Sequence, residues 1–416
     1  MSAGSDHRPS VEGDEGAIHL AAIAWSLLLL LILVAAGWWR TGPAIDARAA
    51  SSGVAQWPQR LRGLALNRAQ IRLKTTIPAF GSSELSNDVL FRPDRLFARS
   101  PSGFVLYPIG GPGQLLMHHV LAAGALGDEL RGRRVIVFVL PNEFAMTRPK
   151  QRQQFFAGNF SRVHAATLLA NDRLPSELRR EILRRLTDYP VALKRDPTID
   201  AAARLAKNQG PMGWQLTAAV LAPTIWLEAT WLGVIDRFRA ATATAHPPMS
   251  PNDIVRVHAP IPWDSLAAVA SSRYLPLTRS NAFGFPDTFW ANLHGAEGGT
   301  LRHRGENFAR LSARSDAWIE LDLLLRTLRA VGARPVLVSL PMAAMYLEAT
   351  GAQPSDLAAF YSHLHRVASA AGASALSFEA LDTEPGQLID LETHLSPVGW
   401  VAVDKAIDSL VHADLH

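Results

Sequence analysis

The sequence predicts an α/β fold, a doubly wound and mostly parallel sheet with helices on both faces, preceded by one apolar helix long enough to cross a membrane. Three observations predict it. Residues 135–140 and 335–340 are short runs of Val, Ile, Leu and Phe, the composition of strands buried on both faces of a parallel sheet. Segments with helical periodicity alternate with these runs, as a doubly wound fold requires. Residues 17–39 carry no charged side chain over about twenty positions, enough to cross a bilayer core as a helix.

The apolar segment reads as an uncleaved anchor. Trp38, Trp39 and Arg40 stand where an aromatic belt and a snorkelling cation belong. A secretory signal peptide begins with a basic region, whereas residues 1–16 hold four acids and one arginine. Charge counting, with Arg40, Arg48, Arg60 and Arg62 after the span, would place the large domain inside. Long domains are translocated largely regardless of that count. Residues 40–70, rich in Ala, Gly, Ser and Arg, read as a stalk, and the folded body is expected over 71–416, with a helical insertion at about 150–300.

Within the body, residues 75–80 and 374–378 complete the expected strands, and 114–130, 175–186, 319–331, 356–371 and 397–411 are the expected helices. Residues 214–235 are also apolar, but Pro223 and Glu228 interrupt them, so a buried or partly membrane-facing hairpin over the active site is expected rather than a second span. Composition narrows the function. A chain of 416 residues with 48% hydrophobic content supports a large core, and 41 Lys+Arg against 37 Asp+Glu, scattered, gives no nucleic-acid footprint. No cysteine is present, which removes thiolate metal sites and cysteine nucleophiles together.

Four segments could carry chemistry. Phe80-Gly81-Ser82-Ser83-Glu84-Leu85 follows the first strand, where a glycine permits a sharp turn and Ser83 can present its hydroxyl at a helix start; the same residues also read as a plain cap made by Ser82. His394 stands in the loop before a final helix marked by Ser396 and Pro397, with Asp390 and Glu392 near enough to orient its ring. The loop from Pro108 through Gly110, Gly111, Pro112 and Gly113 to Gln114 offers amides for an oxyanion hole, or a tight connection without function. Asn142, after the second apolar strand, reads either as an oxyanion donor or as part of a turn. His118 and His119 are adjacent on a helix and point apart, so they make no metal site. Asp287, Trp290 and His294 read equally as groove lining and as packing.

Taken together, the pattern resembles the SGNH hydrolases and, more closely, the DltD family, involved in D-alanylation of lipoteichoic acid. The resemblance rests on the anchor, the Phe80–Leu85 segment, the glycine loop, the strand 134–144, Ser280-Asn281-Ala282-Phe283-Gly284-Phe285, Leu337-Val338-Ser339-Leu340-Pro341-Met342 and His394-Leu395-Ser396-Pro397-Val398-Gly399-Trp400. It implies Ser83 as nucleophile and His394 as base. Two departures stand out. The acid of such sites lies three residues before the histidine, where this chain has Leu391; Glu392 matches the Asp-Thr-His pattern of polysaccharide O-acetylation proteins and is favoured narrowly over Asp390. Pro141-Asn142-Glu143-Phe144 replaces the Pro-Gln-Trp-Phe of DltD proteins.

The resemblance implies a membrane-anchored, extracytoplasmic serine O-acyltransferase or esterase that moves a D-alanyl or acetyl group onto a cell-envelope polymer through an acyl-serine. It also implies a membrane-bound, MBOAT-type O-acyltransferase partner, a teichoic acid or exopolysaccharide acceptor, and no cofactor or metal. The competing readings are a non-catalytic scaffold that presents the polymer and an exopolysaccharide O-acetyltransferase or deacetylase.

Overall fold

Five apolar runs pair into one all-parallel sheet of order β2-β1-β3-β4-β5: β1 (Thr76–Gly81), β2 (Val105–Gly110), β3 (Arg134–Val139), β4 (Arg334–Ser339) and β5 (Ser374–Ser377). The computed structural model describes residues 12–51, 59–99, 102–146, 149–243, 260–296, 304–391 and 393–413. Four strands fall within one residue of the runs read from the sequence. The fifth, β2, is the strand that reading lacks: Pro108 and Gly110 disguise it as a loop. Proline is tolerated there because β2 is an edge strand.

Alternation along each strand fills two layers. Val135, Val137 and Val139 join Phe80, Tyr107 and Leu337 in one core, while Ile136 and Phe138 join Ala79, Val336 and Val338 in the other. The helices that matter below are α1 (Glu12–Ser51), α2 (Ala65–Arg72), α3 (Leu116–Leu126), α4 (Pro149–Asn159), α5 (Arg162–Ala170), α6 (Ser176–Leu186), α7 (Pro197–Asn208), α8 (Pro211–Thr242), α9 (Arg304–Ser312), α10 (Ala317–Ala330), α11 (Pro354–Ala370) and α12 (Pro397–Ala413). α3, α5 and α10 cover the first face, and α12, with Trp400, Val403 and Ile407 turned inward, covers the second.

Two expectations are corrected. Of the expected stalk over 40–70, residues 52–58 lie outside the described residues, but the part before them is no loose linker: α1 runs unbroken through Ser51, and its Ile45 and Ala49, one turn apart, enter the same core as Leu64, Leu66 and Ile71. Gln70 Nε2 donates to the Ala49 carbonyl at 2.6 Å, tying the end of α1 to α2. The few apolar anchors lie one per turn in an Ala/Arg-rich stretch, which hides the periodicity. The segment 214–235 is not a hairpin over the active site but part of one 32-residue helix, α8, with Pro223 on its exposed side.

Buried charge fixes the helical layer between β3 and β4. Glu320 on α10 is fully buried and takes Arg152 Nη2 at 2.5 Å, Arg185 Nη2 at 2.8 Å and the Tyr189 hydroxyl at 2.5 Å. Burial alone would raise its pKa, but the two guanidiniums outweigh burial and hold it below the ordinary value. Removing one partner of such a cluster strands the others. Glu320→Ala is expected to lower the stability of the full chain in detergent by roughly 3–5 kcal/mol, read by denaturant unfolding; a loss under 1 kcal/mol would show that the cluster is not what holds this layer.

Candidate active site

The end of β1 is shaped by an absence of side chains. A Cβ on Gly81 would lie 2.1 Å from Glu84 Oε1, and one on Gly110, at φ +138°, would lie 1.8 Å from the Gly81 carbonyl oxygen. These two glycines are partners across β1 and β2, so the strand ends close together only because neither carries a side chain. The backbone then turns: Ser82 N–H donates to Glu84 Oε1 at 2.6 Å, the Ser82 hydroxyl reaches the Gly111 carbonyl at 3.4 Å, and Ser83 opens a short 3₁₀ turn, Ser83–Leu85. Ser82 makes no side-chain cap here.

The second half comes from the loop before α12. Leu388 and Leu395 pair antiparallel, Ile389 N–H donates to the His394 carbonyl at 2.9 Å and Ser396 N–H to the Gln387 carbonyl at 2.9 Å. The buried Ser396 hydroxyl donates to Gly386 O at 2.5 Å and accepts from the amides of Val398 and Gly399 at 3.0 and 3.2 Å, capping α12 as its Ser-Pro sequence predicts. With its neck pinned, the loop places Asp390 and His394 on one side. Thr393, directly before the histidine, is held at φ 62°, a left-handed backbone that a β-branched residue rarely adopts.

The result is a continuous relay. His394 Nδ1 lies 2.6 Å from Asp390 Oδ2, and His394 Nε2 lies 2.6 Å from Ser83 Oγ, across 311 positions of sequence. A neutral imidazole that donates Nδ1–H to the carboxylate leaves Nε2 to accept the serine O–H. Glu392, favoured narrowly on sequence, lies outside the described residues, and the Nδ1 contact among the described ones belongs to Asp390.

Ser83 faces a cavity of about 850 Å³. Gly113 and Asn142 line it, whereas Gly111 lies behind Ser82 and engages it through its carbonyl. α4 contributes Gln151, Gln154 and Asn159, and α9 contributes Arg304 and Asn307, so the lining is rich in side-chain amides around one guanidinium. These residues escaped the sequence reading. Gln151, Gln154, Phe155, Gly158 and Asn159 follow a helical spacing that marks a single face, and that spacing was the available signal.

Glu143, also missed, is a buried carboxyl on the cavity wall whose Oε1 accepts the Leu116 N–H at 2.8 Å, at the start of α3. Burial pushes its pKa up to about 7, against the partial opposition of Arg152 and of that amide. His118 serves packing: Nδ1 accepts the Leu115 N–H at 2.8 Å, Nε2 meets the Phe156 carbonyl at 3.1 Å, and burial lowers its pKa to about 4. Asp287, Trp290 and His294 stay out of the cavity; Asp287 accepts the Ser280 amide and Trp290 stacks on His294.

The family profile described as DltD protein matches residues 53–412. A Protein DltD of Bacillus subtilis (strain 168) is 26% identical over 370 residues, covering 89% of this chain and 91% of that protein. A Protein DltD of Staphylococcus aureus (strain NCTC 8325 / PS 47) is 21% identical over 388 residues, covering 92% and 93%.

The raised pKa of Glu143 has a consequence for stability. Between the ordinary value of 4.5 and about 7 the folded chain holds a proton that the unfolded chain has released, so stability falls as pH rises through that window. Asp382, also raised to about 7 by burial, titrates in the same direction, so a variant must isolate Glu143. Glu143→Gln keeps the acceptor for Leu116 and is expected to remove roughly 1–3 kcal/mol of the stability lost by the parent chain between pH 5 and pH 8. Denaturant unfolding at both pH values checks it, and equal pH slopes for the two chains would contradict the assignment.

Proposed function

This chain belongs to the DltD family, and we propose that it is a membrane-anchored serine O-acyltransferase of the cell envelope, with Ser83 as nucleophile, His394 as base and Asp390 as the group that orients the imidazole. The observation that carries the reading is the pair of 2.6 Å contacts from one imidazole to a carboxylate and to a hydroxyl, at the mouth of a cavity large enough for an acyl donor.

The chemistry follows from the contacts. As Ser83 Oγ bonds to the carbonyl carbon of a thioester or ester, its proton passes to His394 Nε2, and Asp390 stabilises the imidazolium through Nδ1–H. The tetrahedral oxyanion is held by the amides of Ser83 and Gly113, with the Asn142 side chain as third donor. Collapse expels the thiol or alcohol, which takes the proton from His394, and leaves an acyl-Ser83 ester. An acceptor hydroxyl then gives its proton to His394, attacks the ester and departs acylated, restoring Ser83.

The family supplies the setting. D-alanylation makes a D-alanyl group the first choice of cargo and a teichoic acid the first choice of acceptor, with acetyl and exopolysaccharide as the alternative pair; the side-chain amides of the cavity suit a hydroxyl-rich polymer. The apolar part of α1 holds the body at the bilayer on the extracytoplasmic side, where a multi-spanning MBOAT-type partner hands over the acyl group.

The full chain, incubated with a D-alanyl thioester or an aryl acetate, is expected to yield a hydroxylamine-sensitive mass increase on the Ser83 peptide. Ser83→Ala abolishes it. His394→Ala and Asp390→Asn lower turnover by on the order of 10²–10⁴-fold, while Glu392→Gln stays within a few-fold of the parent. Absence of adduct and turnover with every donor tested would favour the scaffold reading, and a loss confined to Glu392→Gln would move the acid to that position.

A further inference from the structure

α8 and α1 are the two helices among the described residues long and apolar enough to cross a membrane, yet their settings differ. The most apolar stretch of α1 is uncovered, and α1 meets the body only from about Gly37 on, whereas α8 is fastened to the body along its length. Its inward face is held at three levels: Trp214 Nε1 donates to the Ser176 carbonyl at 3.0 Å, Glu228 pairs with Arg162 at 2.9 Å, and Asp236 Oδ2 accepts the amides of Leu64 and Ala65 at 2.9 and 2.6 Å. A helix so attached cannot cross a bilayer without drawing the charged helices α5 to α7 in with it.

The outward face is nonetheless as apolar as a lipid-facing one. Met212, Leu216, Val220, Trp226, Leu227 and Trp231 are 54–78% exposed. Glu228 is the single charged residue between positions 212 and 235, and it is turned inward onto Arg162. An uncovered apolar strip of this length on a soluble body calls for an occupant.

α1 says which. Its uncharged stretch ends at Trp39, so the surface of any bilayer it spans lies near Gly37–Arg40. That is where α8 is attached: the Phe238 ring lies against Gly37, the Arg237 guanidinium sits 3.9 Å from the centroid of the Trp38 ring, and Arg237 Nη2 donates to the Trp38 carbonyl at 3.0 Å. The outward face of α8 therefore starts at the level of the headgroups. Trp226 and Trp231 stand exposed on that face, the residue type enriched at membrane–water interfaces.

We propose that α8 lies in the interface of the leaflet from which α1 emerges, its Met212–Trp231 face seated among acyl chains, so that the body rests on the membrane at a second site instead of hanging from α1 alone. This rests on the reading of α1 as an anchor. It makes the membrane surface a positioning partner of the catalytic body.

The chain has no cysteine, which makes single-cysteine probes clean. Leu216→Cys, Leu227→Cys and, as a control on the opposite layer, the exposed Leu277→Cys are labelled with bimane on the full chain and reconstituted in phosphatidylcholine/phosphatidylglycerol vesicles. The α8 probes are expected to lose about half of their emission to shallow nitroxide-labelled lipid and to be shielded from iodide, whereas the Leu277 probe behaves oppositely. Iodide quenching of the α8 probes equal to the control would overturn the proposal. So would shielding from both quenchers, the mark of a second copy covering the face, and so would deeper quenching by mid-bilayer nitroxides, the mark of a span. Failure of the full chain to float with the vesicles sinks the anchor reading and this inference with it; flotation with water-exposed α8 probes sinks this inference alone.

Discussion

The 2.6 Å contact between Ser83 Oγ and His394 Nε2 joins the first strand to the last loop, and most of the architecture can be read as the means of making it. A parallel sheet delivers the carboxyl ends of all its strands to one edge. With order β2-β1-β3 the topology reverses at β1, so Ser83 occupies the crevice where open α/β sheets bind ligands. The histidine reaches that crevice on a loop that belongs to no strand. It is directed by the Leu388–Leu395 bridge and the Ser396 cap, and the left-handed Thr393 is the local strain that accompanies this aim.

Much of this was legible in the residues. Strands made of uninterrupted Val and Ile runs announce themselves because they are buried on both faces, and the Ser-Pro start of α12 is a local signal that needs no tertiary context. β2 was hidden because an edge strand accepts the residues that normally argue against a strand. The α1–α2 segment was hidden because a helix needs only one small apolar residue per turn, such as Ala49, to join a core. The choice between Asp390 and Glu392 depends on how a ten-residue loop closes on itself, which sequence spacing does not encode.

Two buried carboxyls in the insertion between β3 and β4 illustrate how surroundings decide charge. Glu320 faces two guanidiniums and a phenol and stays ionised, binding helices from different parts of the insertion. Glu143 has one amide and a more distant Arg152, too little to offset burial, which lifts its pKa to about 7. The first is a structural cross-link. The second sets a titrating carboxyl in the wall of the cavity.

The course of α1 from its uncharged stretch into the core is one helix, in which only Pro43 removes a hydrogen bond between the two. A flexible tether would make the number of residues after Trp39 nearly irrelevant, but a continuous helix turns length into phase. Each residue inserted before Ile45 would rotate the body by about 100° and raise it about 1.5 Å along the helix axis, carrying the crevice and α8 to a new compass bearing. Four residues would restore the bearing approximately while leaving the body one full pitch too high.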